Sequence, residues 1–387
     1  MDVHIYQMGC GGIKLVLANL VHRAPDLASL SIGLLKTSKT WLDTAAEGTI
    51  LYKSGMVGLW PLSSGSQAWA TIFSWKLAVR PGREIIPPLI DDFWITGPNG
   101  KHRCIVTSPA QMSLFDAKEA STFGPFRPKV GQSIIAQLIP GVAFLHHENI
   151  VHGDLHLGNI LIQFPGVIDH FSTSELYERF GEPESEAVVR LDGKPLLDGV
   201  PARVFIPAQI LLEDPSSPPT TGGQILGPAL SFPSDIWTLA CTVWEIFGQR
   251  PLFEAFFPSA DRVTAEQVEV LSILPPEWWR TLGRRLEWFN EEGEMDLKSG
   301  TSRGNNGVRR TLDKRFEYCI QEPRAEAGLE TAAEEERRAF ERMLRSMLAF
   351  RPEERATAQQ VLHSEWMKGW GLPALEQSWR TFDSHES

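Results

Sequence analysis

Paired cysteines are lacking. The four present, Cys10, Cys104, Cys241 and Cys319, lie far apart and form no CxxC pair. That argues against a zinc site and a disulfide framework, and it fits a reducing compartment. Long apolar runs are lacking too. No stretch approaches the ~20 residues that a membrane span needs, and the start of the chain carries no signal-peptide pattern. The segment 13–21 is apolar but short, and Lys14 interrupts it. Positive charge is in deficit: 37 Lys and Arg stand against 48 Asp and Glu, a formal net charge of −11. An acidic chain repels phosphate backbones, so no nucleic-acid binding is expected. The charge serves solubility, or a basic peptide partner. No internal repeat is visible. The expectation is a soluble protein of the cytoplasm, the nucleus or both, monomeric and without membrane contact.

What is present suffices for two lobes sharing a cleft: 387 residues, 42% of them hydrophobic. Residues 1–80 give little order. Phe93–Thr96 reads as a strand, Gly97-Pro98-Asn99-Gly100 as a turn and His102–Thr107 as the returning strand of an antiparallel hairpin. Val130, Ile134, Ile135, Leu138, Ile139, Val142 and Leu145 repeat at three- and four-residue steps, which predicts a helix with a core-facing stripe. Six prolines and Gly222-Gly223 mark 207–233 as a loop or linker. Asp235–Phe247 then reads as a buried helix, with Ser234 or Asp235 available as its cap. Residues 290–310 are polar and Gly-rich. The end is helical, through Ala339, Met343, Met347 and Leu348, then Ala358, Val361, Leu362 and Trp366.

The chemistry sits in His152-x-Asp154-x-x-x-x-Asn159, between the first helix and the apolar strand Ile160-Leu161-Ile162. Phosphoryl transfer needs an aligned hydroxyl and a metal that neutralises phosphate charge. A carboxylate at Asp154 orients the hydroxyl and takes its proton. The Asn159 amide oxygen reaches a metal without adding charge. His152 packs beneath the loop. The bland reading is an Asx-rich turn, against which the preceding helix and the following strand both argue.

The string His152-Gly153-Asp154-Leu155-His156-x-Gly158-Asn159 resembles both protein kinases and small-molecule phosphotransferases. Ser234–Ala240 resembles the kinase helix whose Asp anchors the catalytic-loop backbone, although Ala240 stands where Gly is common. Phe350–Arg355 resembles the motif before the last kinase helix. Small-molecule phosphotransferases lack both. With 97–104 and Pro275-Pro276-Glu277-Trp278-Trp279, these segments look like the fungal branch of the SR-protein kinases. The resemblance implies a two-lobed α+β fold, with a small antiparallel-sheet N-lobe at 1–108 and a larger helical C-lobe at 109–370. An irregular spacer at 165–233 and a C-terminal tail at 371–387 complete it. It implies a serine/threonine kinase that uses ATP and Mg²⁺ on basic Arg/Ser-rich proteins. Gly153 stands where most kinases carry an Arg that awaits an activation-loop phosphate, and the SR-protein kinases likewise lack that Arg.

Further site residues come from the same resemblance. Gly9, Gly11 and Gly12, followed by Val16, resemble a phosphate-covering loop, with Lys14 where a third Gly is often found. Lys36 is placed on the phosphates with Glu47 as its helix partner; a solvated Lys is the alternative. Ser108 and Ala110 are placed at the adenine hinge. One part is missing: no Asp-Phe-Gly follows the catalytic loop. Asp169 is the nearest candidate for the metal, and Asp214 lies where a spacer starting near Leu176 would put it. No Ala-Pro-Glu-like end of the activation segment supplies Arg355 with a Glu. Losing roughly 5 kcal/mol of metal stabilisation costs about four decades in rate. The expectation is a kinase fold with impaired transfer, or else a pseudokinase that only binds basic Arg/Ser segments.

Overall fold

The computed structural model describes residues 81–97, 100–107, 110–121, 124–163, 172–180, 231–254, 260–291 and 310–386, with short strands and single positions elsewhere. The described strands are β1 (His4–Tyr6), β2 (Leu15–Ala18), β3 (Ser31–Leu34), β4 (Thr49–Tyr52), β5 (Gly55–Trp60), β6 (Leu89–Gly97), β7 (Gly100–Thr107), β8 (Ala110–Ser113), β9 (Ile160–Gln163), β10 (Ser185–Ala187) and β11 (Arg203–Phe205). Two compact units emerge. One joins residues 1–120 to 158–214, and the other joins 121–157 to 215–387. The boundary expected between 108 and 109 falls inside the first unit.

The first unit holds the sheets. Five strands form an antiparallel sheet in the order β1-β4-β5-β7-β6. Its β6–β7 hairpin is the one the turn residues predict. Phe93 faces Cys104, Ile95 faces His102, and the ladder closes at Gly97 and Gly100. A second sheet runs β2-β3-β9-β8. It carries β9, the strand that leaves the Asp154–Asn159 motif. Ser113 ends β8 and caps the helix Leu114–Glu119. Its hydroxyl accepts from Asp116 N at 3.0 Å, while the Asp116 carboxylate accepts from Ser113 N at 3.2 Å. Such a reciprocal box satisfies two otherwise orphaned amides.

The second unit is helical, and its axis is the helix Pro128–His147. Pro128 opens it, where a missing N–H costs nothing. The sequence pattern predicts one apolar stripe, but every residue from 130 to 145 is buried. The helices Phe232–Phe247, Ala358–Leu362 and Leu372–Glu386 all pack against it. Its polar side chains therefore need internal partners. Gln132 Nε2 donates to Glu336 Oε1 at 2.6 Å, and Gln137 Nε2 donates to Ser133 O at 3.2 Å.

The Phe232–Phe247 helix starts three residues ahead of the expected Asp235, and neither Ser234 nor Asp235 is its cap. Ser231 is. Its hydroxyl accepts from Ser234 N at 3.4 Å, and Ser234 Oγ accepts from Ser231 N at 2.8 Å. The proline at 233 occupies the first turn, so it begins the helix rather than ending the linker before it. Residues 207–230 and 294–309 lie outside the described set.

Phe247, Phe316, Phe340 and Trp366 are fully buried and meet ring to ring at centroid separations of 4.4–6.4 Å. The C-terminal tail forms the helix Leu372–Glu386, which buries Ala374, Leu375 and Ser378. Among the described residues, no helix is long and apolar enough to cross a membrane.

Candidate active site

The loop from Val151 to His156 has no regular secondary structure, so its amides need partners from elsewhere. They come from a helix remote in sequence. Asp235, 1% exposed, accepts from His152 N at 2.6 Å with Oδ2 and from Gly153 N at 2.7 Å with Oδ1. His146 Nε2 lies 2.9 Å from the same Oδ2. About two turns along the same helix, the Thr242 hydroxyl shares its proton between Thr238 O at 2.8 Å and Leu155 O at 3.2 Å. The helix Phe232–Phe247 thus meets the loop at His152, Gly153 and Leu155, and the end of the helix before the loop at His146.

Gly153 explains how both amides reach one carboxylate. Its φ is +82°, a left-handed conformation that costs an L-residue about 1–2 kcal/mol and costs Gly little. Asn149, at φ +59°, makes the other left-handed step, where the helix hands over to the loop. His152 is buried, and its Nδ1 accepts from Asp154 N at 3.3 Å. It sits beneath the loop, as its place in the motif suggests.

Asp154 is different in kind. Its side chain is 49% exposed, with His156 Nε2 3.8 Å from Oδ1. Burial pushes the His156 pKa below its ordinary value, and the nearby Asp154 charge only partly opposes that. His156 is therefore mainly neutral at neutral pH, and the Asp154 carboxylate beside it is open to solvent. Such a group has the chemistry of a general base. Asn159 ends the 3₁₀ turn Leu157–Asn159 and is buried, 3% exposed. Asp154 belongs to the helical unit and Asn159 to the sheet unit.

The remaining expected residues divide in two. Val16 lies in β2, and Ala110 opens β8, facing Gln163 of β9. Gly9, Gly11, Gly12, Lys36, Glu47, Ser108, Asp169 and Asp214 lie outside the described residues. Among the described residues, no group of three or more His, Cys, Asp and Glu is placed to hold a metal. Magnesium is held by one or two carboxylates together with phosphates and waters. Asp154 and Asn159 offer oxygen donors among the described residues, while the carboxylates named for the metal, Asp169 and Asp214, lie outside them.

Arg355, for which the resemblance implies a Glu partner, bonds backbone oxygens among the described residues. It donates to Ala349 O at 2.7 Å, Pro233 O at 2.9 Å and Phe350 O at 3.1 Å, and its guanidinium lies 4.8 Å from the Trp237 ring centroid. Burial pushes its pKa down. Neither His146 nor Thr242 is legible as a site residue in the sequence. Each acts across 87 or more positions, and no local pattern encodes such a contact.

A loop bearing a solvent-facing Asp, tied through its backbone to a buried Asp of a following helix, is compatible with the catalytic loop of a protein kinase. No family model matches the chain. Similar proteins are serine/threonine kinases. One from Aspergillus fumigatus is 23% identical over 309 residues, covering 74% of this chain and 70% of its own length. The serine/threonine-protein kinase SRPK of Physarum polycephalum is 24% identical over 315 residues, covering 72% and 70%. The serine/threonine-protein kinase AFC2 of Arabidopsis thaliana is 25% identical over 269 residues, covering 67% of this chain and 58% of the relative. These relatives support the protein kinase family and imply its fold. A helical unit with a small antiparallel sheet is compatible with that fold.

Proposed function

We propose that the chain is a serine/threonine kinase of the SR-protein-kinase type, with impaired transfer of the ATP γ-phosphate to serines of basic Arg/Ser-rich proteins. The observation that carries this reading is the Asp235 carboxylate, which holds the amides of His152 and Gly153 and so builds the loop that presents Asp154. A free-standing Asx turn has no use for a buried carboxylate 83 residues away. Asp154 orients the acceptor hydroxyl and takes its proton. The substrate class rests on the resemblance of residues 97–104, 275–279 and 350–355, on the SRPK relative and on Gly153 in the loop. ATP and Mg²⁺ are the co-reactants that kinase relatives imply; bound, the metal neutralises charge on the phosphates. The impairment rests on the absent Asp-Phe-Gly. We place the protein in the cytoplasm, the nucleus or both, as a monomer.

Transfer of radiolabelled phosphate from ATP to an Arg-Ser peptide tests the reading. The expected rate lies about four decades below the ~1–100 s⁻¹ of ordinary kinases. Ordinary turnover overturns the impairment. The second reading is a pseudokinase that binds basic Arg/Ser segments without chemistry. It is favoured by the same missing triplet. Thermal unfolding with ATP separates the two, since a ligand that binds only the folded state raises the melting temperature. A magnesium-dependent rise supports the kinase, and none supports the binding module.

A further inference from the structure

A groove of about 420 Å³ opens on the helical unit, between the segment Leu271–Pro276 and the stretch from Arg345 to Glu354. Its floor is made by Leu274 and Leu348, both 3% exposed. Leu274 belongs to a buried apolar cluster with Val268, Trp279 and Phe289, and Phe350 packs against that cluster. The groove therefore has a preformed apolar base. Ile273, 42% exposed, stands at its rim with an apolar side chain that solvent disfavours.

The charges on the rim decide what fits. The helix Glu334–Met347 carries four arginines, and three are matched to carboxylates. Arg337 meets Asp313, Glu317 and Glu341; Arg338 meets Glu334; Arg342 meets Glu365. Arg351, also on the groove, pairs with Glu277 at 2.5 Å and Glu354 at 3.7 Å. Arg345 is the exception. It lines the groove, is exposed, and makes no ion pair among the described residues. In a chain of net charge −11, a cation unmatched among the described residues, beside an exposed apolar rim, is a local inversion of the surface.

We propose that this groove docks a short segment of another protein, in which a bulky apolar side chain is flanked by Asp or Glu. The apolar residue covers Leu274, Leu348 and Phe350, and a neighbouring carboxylate pairs with Arg345. A basic segment is excluded by like charge at the same point. The site is independent of phosphotransfer and of the substrate class proposed above. Arg345 also lies in the last turn of its helix, where a cation complements the helix dipole. That role alone predicts a small change in stability and no effect on peptide binding.

Fluorescence polarisation on the full chain separates these. The probe is a labelled peptide, Glu-Asp-Leu-Glu-Phe-Asp, and its control carries Lys in place of every acidic residue. The acidic probe binds and the Lys control does not. Arg345→Glu weakens the acidic probe about tenfold or more, because reversal turns an attraction into a repulsion, and the same variant acquires affinity for the Lys control. Ile273→Ser, at an exposed position that leaves the fold intact, weakens the acidic probe without changing its sign preference. Circular dichroism verifies that both variants are folded. Equal binding of the two probes, no binding of either, or an unchanged affinity in Arg345→Glu each overturns the proposal.

Discussion

Asp235 and Asp154 are both carboxylates, yet their surroundings assign them opposite work. Asp235 is buried, accepts two backbone amides and lies within hydrogen-bond distance of His146; Asp154 is half exposed, with a mainly neutral His156 at 3.8 Å. A buried carboxylate that accepts several hydrogen bonds is costly to change, because its donors are then left unpaired. Asp235→Asn turns part of that acceptor into a donor facing other donors. It should destabilise the chain by about 2–4 kcal/mol in urea unfolding. Asp154→Asn should stay within about 0.5 kcal/mol, while any residual transfer falls about 10²–10⁴-fold. Equal destabilisation by the two variants would contradict the division of labour. At this scale the identity of the loop residues is legible in the sequence. The left-handed Gly153 and the reach of His146 and Thr242 are not, because backbone torsions and long-range contacts leave no local pattern.

At the scale of elements, periodicity finds the helices better than their ends or their surroundings. The apolar steps from Val130 to Leu145 locate the central helix, but they suggest one buried face where the molecule buries the whole circumference. Neighbours decide that, not the helix. The start of the Phe232–Phe247 helix shows the same limit. A proline at 233 after a Pro-rich stretch reads as linker, yet Pro fits the first turn and Ser231 closes the box with Ser234. Ser231→Ala should cost about 1 kcal/mol in thermal or urea unfolding. Because the helix carries Asp235, the same variant should speed hydrogen exchange at His152 and Gly153, the amides that Asp235 receives. Unchanged exchange there would show that the cap and the anchor are energetically separate.

The whole helical unit is organised around buried cations as much as around its aromatic core. Arg324, 1% exposed, donates to Phe247 O at 2.9 Å and lies 4.1 Å from the Phe247 ring centroid; burial pushes its pKa down to about 10. Arg355 joins three carbonyls, one of which belongs to Pro233 in the first turn of the helix that bears Asp235. The resemblance to kinases gives that Arg a Glu partner which this sequence lacks. Among the described residues it bonds backbone oxygens instead. Arg355→Met removes three donors and should cost about 3 kcal/mol in thermal unfolding. Arg355→Lys should recover only part of it, since an ammonium cannot reproduce the planar fork. Full recovery by Lys would show that charge alone matters here.

The sequence alone marked the His152–Asn159 motif, the hairpin at 93–107, the central helix and the lack of an Asp-Phe-Gly, because each is a local pattern of residue types at fixed spacing. Only the tertiary structure decided that His146 and Thr242 join in holding the loop and that Arg355 bonds the carbonyl of Pro233. Those outcomes depend on which groups meet across 80 or more positions, or on which neighbours cover a surface, and packing settles both after the local pattern has been spent.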